Sequence, residues 1–216
     1  MNDRPLLIQS LPNSGSTWFA ALVARNLPGA RYCMEFFNPL RNLRFRARLE
    51  QRWGCELVGC YQHIAAPDDP SLDDDIAACW FGSGYTMTKE VFAPRRLATF
   101  ARHFQCVVFI RSWANSFPAS RLRVWSFYEH AWHSLALHGF PVTAQRLDDR
   151  CEEAHRLLTA SLIADAALCG VPVVTWESLF EGPRVVQDTL RAALGWCSDG
   201  LADEIAATAV NPRARP

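Results

Sequence analysis

Apolar and polar positions along the chain alternate between two periods. Pro5 to Leu11 is a short apolar run that ends at a Pro-Asn-Ser-Gly-Ser turn. From Thr17 to Leu27, Ala, Leu and Val recur with helical spacing until Pro28-Gly29 stops them. This predicts strand, loop, helix. Asn38 to Trp53 reads as an arginine-rich helix, and Glu56 to Tyr61 as a short strand. Pro67 to Asp75, with two prolines and five aspartates, reads as a surface loop. Tyr85 to Thr88 is a strand candidate and Pro94 to Phe104 a helix. Gln105 to Ile110 is a buried strand with four consecutive large apolar residues. Trp113 to His138 and Thr143 to Leu168 read as long helices, and Val171 to Thr175 as another buried strand. Pro183 to Leu194 and Leu201 to Ala209 read as closing helices.

Continuous apolar strands alternating with helices imply a mostly parallel sheet covered on both faces, a doubly wound α/β domain. At 216 residues the chain suits one domain, expected over 1–210 with a short tail at 211–216. Ligands of such sheets bind beyond the carboxyl ends of the strands. The residues after Leu11, Thr88, Ile110 and Thr175 are therefore the first to inspect.

Composition narrows the function classes. Lys+Arg and Asp+Glu are both 22, so no basic excess favours a nucleic acid or an anionic membrane. Of the 22 basic residues only Lys89 is a lysine. The eight cysteines are scattered without a CxxC pair, and several lie in apolar runs. They read as small buried hydrophobes in a reducing compartment, which predicts a cytoplasmic protein without a metal site. No signal peptide precedes the first strand, and no stretch reaches the roughly 18 apolar residues of a membrane span.

The first turn suits an anion. Pro12-Asn13-Ser14-Gly15-Ser16-Thr17-Trp18 offers small residues, successive amides, hydroxyls and a helix N-terminus. An ordinary helix cap is the alternative. No lysine follows the glycine, so this is not the GxxxxGK[ST] loop of ATP- and GTP-hydrolysing proteins.

Leu11-Pro-Asn-Ser-Gly-Ser-Thr-Trp18 resembles the phosphosulfate loop of sulfotransferases that use 3'-phosphoadenylyl sulfate (PAPS). Val107-Val-Phe-Ile-Arg111, followed by a serine-containing helix, resembles the 3'-phosphate motif of that family. Val173-Val-Thr-Trp-Glu177-Ser-Leu-Phe-Glu-Gly-Pro183, running to Leu194-Gly195, resembles its late strand and turn. The three occur in the family's order between residues 6 and 196. The resemblance implies a P-loop, nucleotide-kinase-like fold and sulfonate transfer from PAPS to a hydroxyl or amine, with no metal. It implies a small-molecule, glycan or peptide acceptor, while the charge balance leaves no nucleic acid or membrane partner expected. The chain is short for the family, which leaves acceptor-binding loops reduced or supplied by the partner subunit of a homodimer.

Carried over by motif, the donor site comprises Asn13, Ser14, Gly15, Ser16, Thr17, Trp18, Arg111 and a serine in the helix that follows. The family's serine position is Ala119 here; Ser120 is preferred over Ser116, with Arg121 or Arg123 as further phosphate partners. Asn13 replaces the family's loop cation. Lys89 is the candidate to supply that cation, and Glu90 beside it the candidate base. Both can serve one site only if the strand has ended by Lys89, because adjacent strand residues face opposite ways. The alternatives are a nucleoside- or nucleotide-kinase-like phosphotransferase, and a non-catalytic nucleotide-binding relative. Arg41, Arg44, Arg46, Arg48 and Arg52 form a basic helix, read as a solvated face or as a dock for an acidic acceptor.

Overall fold

The computed structural model describes residues 4–39, 41–54, 64–66, 72–91, 93–116, 125–195 and 197–210. The strand expected at 56–61, the tail at 211–216 and Ser120, Arg121 and Arg123 lie outside them. Five strands, β1 (Leu6–Ser10), β2 (Tyr32–Met34), β3 (Met87–Glu90), β4 (Gln105–Ile110) and β5 (Val173–Thr175), form one sheet in the order β2-β3-β1-β4-β5. Every pairing is parallel. The helices are α1 (Ser16–Asn26), α2 (Leu43–Trp53), α3 (Asp73–Trp80), α4 (Leu97–His103), α5 (Trp113–Ser116), α6 (Trp125–Leu137), α7 (Leu147–Cys169), α8 (Trp176–Glu181), α9 (Pro183–Leu194) and α10 (Leu201–Val210).

Strand alternation divides the core. Leu6, Ile8, Met87, Val107, Phe109 and Val174 pack with residues of α1, α8, α9 and α10 on one face. Leu7, Cys106, Val108 and Ile110 pack on the other with residues of α2, α3, α4 and α7. Each face removes its apolar side chains from water at about 25 cal/mol per Å², so a one-residue slip in any strand would exchange the faces. A third cluster, in which Leu11 meets Tyr128, Ala131, Cys151 and Leu158, joins the first turn to α6 and α7. From the central strand β1 the chain leaves toward β2, whereas from its neighbour β4 it leaves toward β5. The crevice beyond their carboxyl ends is the topological switch point of the sheet.

Three of the differences from the sequence reading have a clear physical cause. Tyr32–Met34 is a strand although its residues are only half-buried, because it is an edge strand carried by the register Tyr32↔Met87. Asp73, Asp74 and Asp75, read as loop, form the first turn of α3. Their charges favour the positive end of a helix dipole, and Asp75 ion-pairs with Arg48 and Arg52 of α2. Strand β3 continues through Glu90, two residues past the expected end, with Ile8 opposite Lys89 and Gln9 opposite Glu90.

Glu153 fastens α7 to α6 and to the turn before it. Its carboxylate, 8% exposed, accepts hydrogen bonds from Trp132 Nε1 (2.8 Å), Thr143 N (3.1 Å), Thr143 Oγ1 (2.9 Å) and Ala144 N (3.0 Å). Burial alone would raise its pKa; these donors overcome that and hold it near 2. The charged form is stabilising, so its contribution is present above the ordinary carboxyl value of 4.5 and lost as pH falls toward 2. We expect Glu153→Gln to lower unfolding free energy at pH 7 by about 1.5–3 kcal/mol, the worth of hydrogen bonds to a charged group. Urea denaturation at neutral pH and near pH 3 checks this: the gap from wild type narrows in acid.

Candidate active site

The turn after β1 is built from both halves of the molecule. The Leu11 side chain is buried in the α6–α7 cluster, and the Pro12 carbonyl accepts a hydrogen bond from Tyr128 Oη of α6 at 3.1 Å. Asn13 takes a left-handed conformation (φ 60°), which asparagine tolerates better than most residues. The Ser14 amide closes the turn onto the Leu11 carbonyl at 3.3 Å. Gly15 is left-handed (φ 83°), and a Cβ there would stand 2.3 Å from Cζ3 of Trp176. Only glycine satisfies both conditions.

Helix α1 starts at once from Gly15, with no side-chain cap and no acidic residue in its first turn. Its leading amides and positive end are thus left for an anion. Two further donors belong to the same turn. Asn13 Nδ2 and Ser14 Oγ are buried without a hydrogen-bond partner among the described residues. Leaving such a group unmade costs about 1–3 kcal/mol. Loop, helix end and orphaned donors together fit a phosphate or sulfate group.

Across the switch point, Arg111 follows β4 and its guanidinium lies over the Trp176 ring, 4.4 Å from the centroid. Trp176 opens α8 at the end of β5 and meets Trp18 edge-on at 5.7 Å. One indole therefore touches Gly15, Trp18 and Arg111. Its role was not assigned from sequence, although it is the first residue after a carboxyl strand end, where ligands of such sheets bind. Glu177 beside it accepts hydrogen bonds from Ser112 Oγ (2.9 Å) and Asn115 Nδ2 (2.7 Å), fixing the turn after Arg111. Burial opposes its charge, but these donors hold its pKa below the usual value. Thr175 and Ser178 cap α8 reciprocally. His155 of α7 packs between Trp113 and Tyr128, hydrogen-bonds the Arg111 backbone, and is kept neutral by burial, its pKa lowered to about 4.

Lys89 and Glu90 do not share a site, which corrects the expectation that they act side by side. The strand has not ended, so their side chains leave β3 on opposite faces. Lys89, 3% exposed, faces α1: its ammonium donates to Thr17 Oγ1 at 3.4 Å and pairs with Glu35 at 2.9 Å. Glu90, 1% exposed, faces the other core and accepts hydrogen bonds from the Phe37 amide (3.0 Å) and the Thr88 hydroxyl (2.8 Å). Burial raises its pKa to about 8 despite those donors.

Glu35 was missed by sequence reading because it follows an edge strand that the apolar pattern did not show. Its backbone is left-handed (φ 57°) and its amide donates to the Lys89 carbonyl at 2.8 Å. Its carboxylate also meets Asn38 Nδ2 (2.9 Å) and Arg41 (3.3 Å). Burial would raise its pKa, but Lys89, Asn38 and Arg41 outweigh it and hold the group ionised. Of the motif serines, Ser116 closes α5 and Ser120 lies outside the described residues. Among the described residues no group of three or more His, Cys, Asp or Glu side chains is placed to hold a metal ion, and no helix is long and apolar enough to cross a membrane.

No protein-family model and no curated protein matches the chain. A solved structure, mouse sulfotransferase SULT7A1 complexed with PAP, is similar with a TM-score of 0.47 at 12% identity. The likeness covers 96% of this chain and 65% of that one, so this chain spans slightly less than two thirds of that protein's length. A likeness so distant says nothing of this chain's chemistry.

The placement of Glu90 has a measurable consequence. A carboxyl with a raised pKa keeps in the folded state a proton that the unfolded chain releases. Its stabilising contribution is full below about pH 4.5 and lost as pH rises through about 8. Glu90→Gln mimics the protonated form. The variant's melting temperature is expected to match wild type near pH 4.5 and to exceed it by a widening margin up to pH 8. A margin that does not change with pH would mean that Glu90 is not a buried neutral acid.

Proposed function

We propose that the chain is a sulfotransferase-like enzyme that binds PAPS at the crevice between β1 and β4 and transfers its sulfonate group to a hydroxyl or amine. The carrying observation is the anion cradle of the first turn, whose two buried donors lack partners among the described residues, with a buried lysine at its helix. The motif resemblance names the donor. The absence of a lysine within the loop disfavours the kinase reading.

In this reading the Ser14–Trp18 turn and Asn13 Nδ2 hold the 5'-phosphosulfate, and Arg111 reads the 3'-phosphate as arginine does best, through a planar fork. Bound PAPS supplies an activated sulfonate whose phosphate leaves as an anion. Asn13 can donate hydrogen bonds there but brings no charge. Lys89 supplies it from β3. Glu35 holds that ammonium beside Thr17, and Glu35 takes the acid–base role first expected of Glu90. As Lys89 turns to the charge developing at the loop, Glu35 loses the largest of its charge partners and gains proton affinity, with Asn38 and Arg41 still beside it. The acceptor's proton then passes to the Glu35 carboxylate.

Isothermal titration tests the donor site. Adenosine 3',5'-bisphosphate is expected to bind more tightly than AMP or ATP, and Arg111→Ala to erase that preference at a cost of about 1.5–3 kcal/mol. Equal affinity for all three nucleotides would defeat the reading, and phosphoryl transfer from ATP would favour the kinase alternative.

Kinetics with labelled PAPS test the roles. Glu35→Gln should slow turnover by roughly 10²–10⁴-fold, the range for loss of a general base, with little change in nucleotide affinity. Lys89→Met should lower turnover far more than affinity if its contact strengthens in the transition state. Slow Glu90→Gln beside fully active Glu35→Gln would return the base to Glu90.

A further inference from the structure

A cavity of about 560 Å³ opens beside Glu35, between the end of β2, the start of α2 and the turn after α3. That volume suits a small organic molecule. Its wall includes Met34, Phe36 and Tyr85, the two rings meeting edge-on at 6.1 Å. Arg41 and Arg44 also line it. Among the described residues the only acidic side chain in its lining is Glu35, which is already held by Lys89.

The arginines of this basic helix are not equivalent. Arg46 pairs with Glu50 of its own helix, and Arg48 and Arg52 hold Asp75 of α3. These three have structural partners. Arg41 reaches Glu35 at 3.3 Å from a side chain that is 54% exposed. Arg44 is exposed, lines the cavity, and has no ion-pair partner among the described residues. Two cations therefore border an aromatic-walled cavity whose one carboxylate is already neutralised. The first turn of α2, which holds no acidic residue, adds its positive end at the same place.

We infer that this cavity takes the acceptor, and that the acceptor is a small aromatic hydroxyl compound bearing a carboxylate or similar anion. The inference rests on the transfer reading above. The hydroxyl lies at Glu35, where the proton leaves. The ring packs on Phe36 and Tyr85, and the anion is read by Arg44 with Arg41. A fork of planar donors suits a carboxylate, and a cation at the rim also steers an anion into the cavity.

The test compares para-hydroxyphenylacetate with its uncharged near-isostere para-hydroxyphenylacetamide, each titrated into the full chain with and without saturating adenosine 3',5'-bisphosphate. The acid is expected to bind about tenfold more tightly or better, the scale of one charge-assisted hydrogen bond. Arg44→Ala should abolish the preference and leave nucleotide affinity unchanged. The Arg44→Lys variant should restore part of it, and rising salt should weaken it. Equal binding of the two probes, failure of both to bind, or a preference that survives Arg44→Ala would each overturn the inference. The nucleotide titration is read separately. Tight nucleotide binding with no discrimination between the probes sinks the acceptor assignment alone, whereas absent nucleotide binding sinks the donor reading beneath it.

Discussion

The Trp176 indole is the contact on which the candidate site depends. It stands at the end of β5, lies under the Arg111 guanidinium and fills the space that a side chain at position 15 would need. Three strand ends are thereby held in one arrangement. The turn after β1 can approach the ring because Gly15 has no Cβ. Arg111 gains a flat apolar surface that orients its fork, an interaction worth about 0.5–1 kcal/mol when exposed and more when dry. Removing the ring would take that surface from Arg111 and leave the turn without this wall.

The α6–α7 pair supplies the opposite wall. Tyr128 donates to the Pro12 carbonyl, and His155 bonds the Arg111 backbone from the same cluster. The first turn and Arg111 are thus fixed through their backbones from one side and through Trp176 from the other. Such support keeps donors in place before a ligand arrives, which is what stabilisation of a developing anion requires. Glu153, by tying α6 to α7, sets the position of both supports at some remove from the first turn.

Charge is partitioned by the pleat of β3. On one face Lys89 with Glu35 forms a buried ion pair at the first turn of α1; on the other Glu90 is a buried acid bonded to the Phe37 amide and the Thr88 hydroxyl. A single strand separates a charge kept ionised by its partner from one driven toward neutrality by burial. The first holds its ammonium against Thr17 of α1, while the second has its carboxyl committed to those two donors.

By themselves the residues determined the elements whose burial is one-sided or complete. The run Val107 to Ile110 must be a covered strand, and the Ser-Gly-Ser-Thr turn before a helical period must present amides at a helix start. The parallel α/β architecture was legible for that reason, as were the turn after β1 and the position of Arg111 after β4. The edge strand Tyr32–Met34 was not, since half-buried residues carry little periodic signal and pairing with β3 decides their conformation. Nor was Glu35, whose ion-pair partner Lys89 is 54 residues away. The facing of Lys89 and Glu90 turned on whether β3 stops two residues earlier, and only its pairing with β1 decided that. Local pattern determines which residues leave water; which polar groups then meet depends on register, and register is a property of the assembled sheet.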